Sequence, residues 1–355
     1  MPRTLARGTV TGMPTFVPAA QLSADFHREI VRPLLAGRPH AAALLGWGSD
    51  VLGYDTPRST DHGWGPRLVV FLERDDQAAE VSAGLDAALP QRFHDWPVRF
   101  GVDDEPAGHH VTVTTLPTWL SSQLGVGVVS EMTCSDWLLV SQQRLLGVVA
   151  GRVHADDTGA LTAVRRQLGW YPDEVARWLI ACQWHRIAQE EAFVARTAEV
   201  GDEVGSAVTA GRLVRDLMRL AMLLDRRYAP YQKWLGTAFA AGSHPDGLPE
   251  YLAAVLPARD RDQREAALAR AYTALAHRHN AAGLTEALDP TVRPYHRRPA
   301  RVLMADRFAT ATAATVTDPW LRAQPLIGGV DQIVDNVDVL SDPARCRRLA
   351  SVYLE

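Results

Sequence analysis

A chain of 355 residues is long enough for two domains, and its composition, 47% hydrophobic and 22% charged, excludes the disordered and fibrous classes. The formal net charge of -4 argues against a general electrostatic attraction to nucleic acid. Three scattered cysteines (Cys134, Cys182, Cys346) give no disulfide framework, and no apolar run suits a membrane span or an export signal, so a cytoplasmic protein is expected.

Residues 1–20 show no periodicity and read as an extended arm. A helical spacing follows, with Leu22, Phe26, Ile30 and Leu34 recurring every four residues, and Pro33 is expected to kink or end it. A short apolar run at 41–45 leads into Gly-Trp-Gly-Ser. Residues 67–72 (Arg-Leu-Val-Val-Phe-Leu) predict a strand covered on both faces. A helix is expected over 77–89, ended by Pro90, and two more strands over 98–102 and 110–116. The second of these alternates, with Val111, Val113 and Thr115 opposite His110, Thr112 and Thr114. The loop between them carries Asp103, Asp104 and Glu105.

Beyond about residue 150 the strand signal fades. Tyr171-Pro-Asp-Glu predicts a helix start, running through Trp178, Cys182 and Ile187 toward Arg196. A second long helix is expected over 206–227, with Leu213, Leu217, Leu220 and Leu224 on one stripe and Asp202 and Glu203 as capping acids. Two more are expected near 250–256 and 262–277. The division is then an arm (1–20), an α+β domain (21–155) and an all-α helical bundle (156–355).

Gly48-Ser49 follows an apolar segment, and Asp61 comes twelve residues after Ser49. Backbone amides and a serine hydroxyl at such a turn can hold phosphate oxygens. A carboxylate near the next strand can hold Mg²⁺ bridging them. A plain turn with a capping aspartate fits the spacing equally well. The longer string, Leu45-Gly-Trp-Gly-Ser-Asp-Val-Leu-Gly-Tyr-Asp and then Ser59-Thr-Asp-His-Gly-Trp-Gly-Pro-Arg67, resembles the signature of the nucleotidyltransferase superfamily that includes DNA polymerase β and kanamycin nucleotidyltransferase. It looks most like a bacterial family of that superfamily whose function is unassigned. The resemblance extends to Trp170-Tyr-Pro-Asp, to Gly201-Asp-Glu-Val-Gly-Ser206 and to the stretch from Tyr228 to Phe239. It implies a nucleotidyltransferase-type mixed sheet with flanking helices, followed by helices like those of the antibiotic-modifying enzymes.

Against the superfamily pattern, the second carboxylate position is Gly63, and the third position falls on the 110–116 strand, where His110 or Thr112 stands. His110 or Glu105 is then the candidate to complete a metal site with Asp61. Lys233, between Tyr231 and Trp234, and Arg67, at a strand start, are candidates for the triphosphate; a lysine lying over Trp234 is the plainer reading of Lys233. The resemblance implies a helical-domain glutamate as general base, which Glu190 or Glu191 could supply, although a solvated helix face explains both. Arg212, Arg215 and Arg219 share one helix face. Trp47 and Trp64 are candidates to stack on a base. The activity expected is Mg²⁺-dependent transfer of a nucleoside monophosphate from a nucleoside triphosphate, ATP foremost, to a hydroxyl of a small-molecule acceptor. The alternative is a nucleotide-binding sensor or partner protein that kept the fold and lost the metal centre.

Overall fold

The computed structural model describes residues 15–101 and 106–354. The acidic loop at Asp103, Asp104 and Glu105 and most of the expected arm lie outside the described residues.

Two compact units form, residues 1–120 with 147–165 and residues 121–146 with 166–355. In the first, α1 (Ala19–Phe26) starts after Pro18, and its Ala19 N–H donates to Asp55 Oδ2 at 2.8 Å. The helix does not stop at Pro33. It widens into a π-turn (His27–Val31) and continues as α2 (Arg32–Leu34). The π-turn sits where proline withholds its N–H and crowds the carbonyl four residues back.

The strands are β1 (Ala41–Ala43), β2 (Arg67–Leu72), the pair β3 (Arg92–Phe93) and β4 (Trp96–Pro97), then β5 (Arg99–Phe100) and β6 (Gly108–Thr115); α3 (Asp75–Ala88) follows β2. The chain leaves this unit in α4 (Leu116–Leu124), passes α5 (Cys134–Leu139), and returns in α6 (Gln142–Val149). It closes the unit with β7 (Val153–Asp156) and α7 (Ala160–Gln167). The main sheet is mixed and five-stranded, in the order β5-β6-β2-β1-β7. β2 runs parallel to β6, with Arg67 opposite His110, while β1 is antiparallel to β2 and β7.

As its run of apolar residues predicts, β2 is buried on both faces. Leu68, Val70 and Leu72 join a core with Leu22 and Phe26 of α1 and Leu85 of α3. Phe71 on the other face meets Trp119 edge-on at 5.4 Å. Under the start of β2 lies a polar column. Ser23 Oγ donates to the Arg67 carbonyl at 2.7 Å and accepts from His154 Nε2 at 2.8 Å. Beside it the Nε2 atoms of the buried His27 and His40 lie 3.0 Å apart, one donating to the other.

The second unit is mainly helical: α8 (Asp173–Glu190), α9 (Phe193–Glu199), α10 (Glu203–Leu224), α11 (Gln232–Ala240), α12 (Leu248–Val255), α13 (Arg261–Ala281) and α14 (Asp306–Ala314). The leucine stripe of α10 is buried at Leu213, Leu217 and Leu220, and Asp202 caps the helix by accepting the Gly205 N–H at 2.7 Å. Trp184 of α8 packs on Phe308 with ring centroids 4.8 Å apart and donates to His279 Nδ1 at 3.2 Å. The bundle also carries one hairpin, β8 (Arg293–Tyr295) with β9 (Arg298–Val302). The helix expected to run from 171 toward Arg196 breaks after Glu190. There the buried Glu191 accepts the N–H groups of Leu303 at 2.7 Å and Ala305 at 2.9 Å, tying α8 to the chain after the hairpin.

Candidate functional site

The loop leaving β1 is built around Arg67, the first residue of β2. Its guanidinium grips Asp50 with two bonds, Nε to Oδ2 at 2.7 Å and Nη2 to Oδ1 at 2.8 Å, and also donates to the Trp47 carbonyl at 2.7 Å. A bidentate fork of this kind fixes orientation as well as distance. It brackets Gly48 and Ser49 from both sides. Gly48 adopts φ +126, and a Cβ there would collide with the Asp50 carboxylate, so only glycine fits. The turn closes with Tyr54 N–H donating to the Ser49 carbonyl at 2.8 Å. No α-helix follows Ser49. The strand–turn–helix cradle gives way to a turn and a short 3-10 helix (Pro57–Asp61). Trp47 stands beside the turn 66% exposed, whereas Trp64 is buried against Phe16 and Trp96.

Asp61 ends the 3-10 helix, with its side chain 55% exposed and its Oδ1 accepting from His62 Nδ1 at 2.7 Å. His62 is extended, and Gly63 turns the chain at φ +56. Positions 61 and 63 therefore do not share a strand face, which the two-carboxylate pattern requires. A left-handed backbone at 63 favours glycine and explains the residue found there.

His110 pairs with Arg67 across β2 and β6. Its Nε2–H donates to the Phe100 carbonyl at 2.8 Å, and its ring stacks on Phe100 at 4.0 Å. That bond fixes the tautomer and leaves only Nδ1 with a lone pair.

Mg²⁺ prefers oxygen ligands in an octahedral shell. Among the described residues no three His, Cys, Asp or Glu side chains come together as a metal site. Asp50 is committed to Arg67, and His110 offers a nitrogen already oriented by Phe100. The donor set does not fit a two-metal centre. Asp61 remains as the one carboxylate of these loops that is exposed and meets neither lysine nor arginine.

The candidates of the helical unit are placed within that unit. Lys233 Nζ lies 5.1 Å from the Trp234 ring centroid, as the plainer reading of that residue has it. Glu190 pairs with Arg212 at 2.9 Å. Its neighbour Glu191 is the buried clamp described above, and burial pushes its carboxyl up to about 7 against the pull of its backbone partners. Arg215 meets Asp335 at 2.7 Å, and Arg219 donates to the Asp331 carbonyl, so two of the stripe's arginines brace the C-terminal segment.

Asp50 was not singled out from the sequence. Its one signal was position, an acid directly after Gly-Ser, and its partner lies seventeen residues on. Ser23 and His154, which fix the backbone of Arg67 from below, gave no signal.

Residues 137–235 match the family model described as "Domain of unknown function (DUF4037)", which leaves the Gly48–Asp61 stretch outside the match. No curated protein matches the chain. Among solved structures, a nucleotidyltransferase-like protein from Exiguobacterium sibiricum 255-15 is similar at 12% identity and a TM-score of 0.36, over 85% of this chain and 91% of that one.

Proposed function

We propose that this chain binds a nucleoside triphosphate on the Gly48–Ser49 turn. The observation that carries the reading is the Arg67 brace. It holds in one conformation a turn whose Ser49 hydroxyl and backbone amides can meet a ligand's phosphates. The exposed Trp47 ring offers a flat surface for the base next to that turn. The sequence string that resembles nucleotidyltransferases supports the same ligand class. Arg67 and Asp50 cancel in charge, so the triphosphate needs a cation of its own, and Mg²⁺ brought by the nucleotide supplies it. Asp61 is the residue available to meet that ion.

A second reading, full transfer of a nucleoside monophosphate to a hydroxyl of a small-molecule acceptor, is favoured by Asp61 being exposed and meeting neither lysine nor arginine. The donor set of the described residues supports binding better than two-metal transfer. Pyrophosphate release separates the two. The binding reading expects Trp47→Ala to weaken triphosphate affinity roughly tenfold, the worth of one stacked base, with no pyrophosphate formed in wild type. Steady Mg²⁺-dependent release that is lost in Asp61→Asn would establish the second reading. Unchanged affinity in Trp47→Ala and Asp61→Asn alike would remove the site.

A further inference from the structure

The helical unit carries an open groove of about 750 Å³ that the nucleotide reading does not use. Its volume falls within the range of small-molecule sites, roughly 300–1,000 Å³. The floor is one face of α13, lined by the small apolar side chains of Ala266, Ala269 and Ala274, the last two buried. Arg270 rises from that floor with its guanidinium 5.3 Å from the Tyr251 ring centroid, so the cation is held in place by an aromatic face. Arg301 of β9 completes the cationic lining. Neither guanidinium has a carboxylate partner among the described residues, and both are exposed. The acid of the lining, Asp246, is taken up by Arg278 at 2.7 Å.

We propose that this groove binds a small organic anion. Arg270 and Arg301 hold its carboxylate or phosphate group, and its flat apolar body lies on the alanine floor against Tyr251. An apolar floor rewards the body, and two uncompensated guanidinium forks select the planar or tetrahedral oxyanion. The inference is independent of the nucleotide site, because it rests on other residues and another unit.

Calorimetric titration of the full chain with phenyl phosphate, benzoate and inorganic phosphate tests it. At least one aromatic anion is expected to bind more tightly than inorganic phosphate, and which one binds identifies the head group. Arg270→Gln and Arg301→Gln are each expected to weaken that binding roughly 10- to 100-fold, the loss of a charge-assisted hydrogen bond. Both side chains are exposed, so the variants keep their fold. Arg297→Gln, an exposed arginine of the same hairpin outside the lining, should bind as wild type does. The proposal is overturned if neither aromatic anion binds, if inorganic phosphate binds as well as both, or if Arg297→Gln weakens binding as much as Arg301→Gln.

Discussion

Replacing Arg67 by methionine removes three donated hydrogen bonds, two to Asp50 and one to the Trp47 carbonyl, while keeping an unbranched stem that reaches about as far as Nε. It leaves the Asp50 carboxylate, only 14% exposed, without its cation. A fully buried pair broken in this way costs about 3–5 kcal/mol, and an exposed pair about 1 kcal/mol or less. With Arg67 itself 24% exposed, the cost falls between these, at about 2 kcal/mol. In a unit of this size that lowers the melting temperature by roughly 4–8 °C. Asp50→Leu is expected to cost a similar amount, because it strands the guanidinium. The double variant strands neither charge, so it should lose clearly less than the sum of the two single changes. Urea unfolding followed by tryptophan fluorescence measures all three, since Trp47, Trp64 and Trp96 lie in the same unit. Additive costs in the double variant would mean that the two side chains are not coupled, and the brace would be refuted.

Gly48→Ala should destabilise the turn by at least about 1 kcal/mol, because φ +126 excludes a Cβ that would also strike Asp50; a melting temperature equal to wild type would contradict the geometry. Stability should fall with acid. Burial holds His27, His154 and His279 down at about 4 in the folded state, so their contribution is complete above the unfolded value of about 6.5 and lost as the pH falls toward 4. The full window is worth at most about 3 kcal/mol for each histidine. Glu191 works in the opposite sense. Raised to about 7, its contribution is complete below the unfolded value of about 4.5 and lost as the pH rises through 7. Three histidines outweigh one glutamate, so net stability drops between pH 6.5 and 4. In Glu191→Gln the drop should steepen, and unfolding curves at pH 7, 6 and 5 that coincide with wild type would refute the assignment.

The sequence exposed what depends on local pattern. The strand over Arg67–Leu72 and the helix with the Leu213, Leu217 and Leu220 stripe were legible because each carries a continuous run or stripe of apolar residues on its buried side. The β3–β4 hairpin was not. Its turn uses His94 and Asp95 at φ 46 and 65, where the usual signal would be Asn-Gly. β7 was missed because Val153–Asp156 is only half-buried and lacks an apolar run. At the candidate site, type and spacing pointed to Gly48, Ser49 and Arg67, but to Arg67 as a phosphate contact and not as the partner of Asp50. The Arg67–Asp50 fork was not legible, because the two residues meet only through the antiparallel pairing of β1 and β2. Likewise nothing local distinguishes Glu190 from Glu191, yet one pairs with Arg212 at the surface of its helix and the other is a buried clamp.

The most direct test of nucleotide binding at the Gly48–Ser49 turn is a calorimetric titration of the wild-type chain with ATP and the other three common triphosphates, with and without Mg²⁺. Saturable binding that Mg²⁺ strengthens, and that Arg67→Met weakens, is the expected result. No heat with any triphosphate in either condition would contradict it.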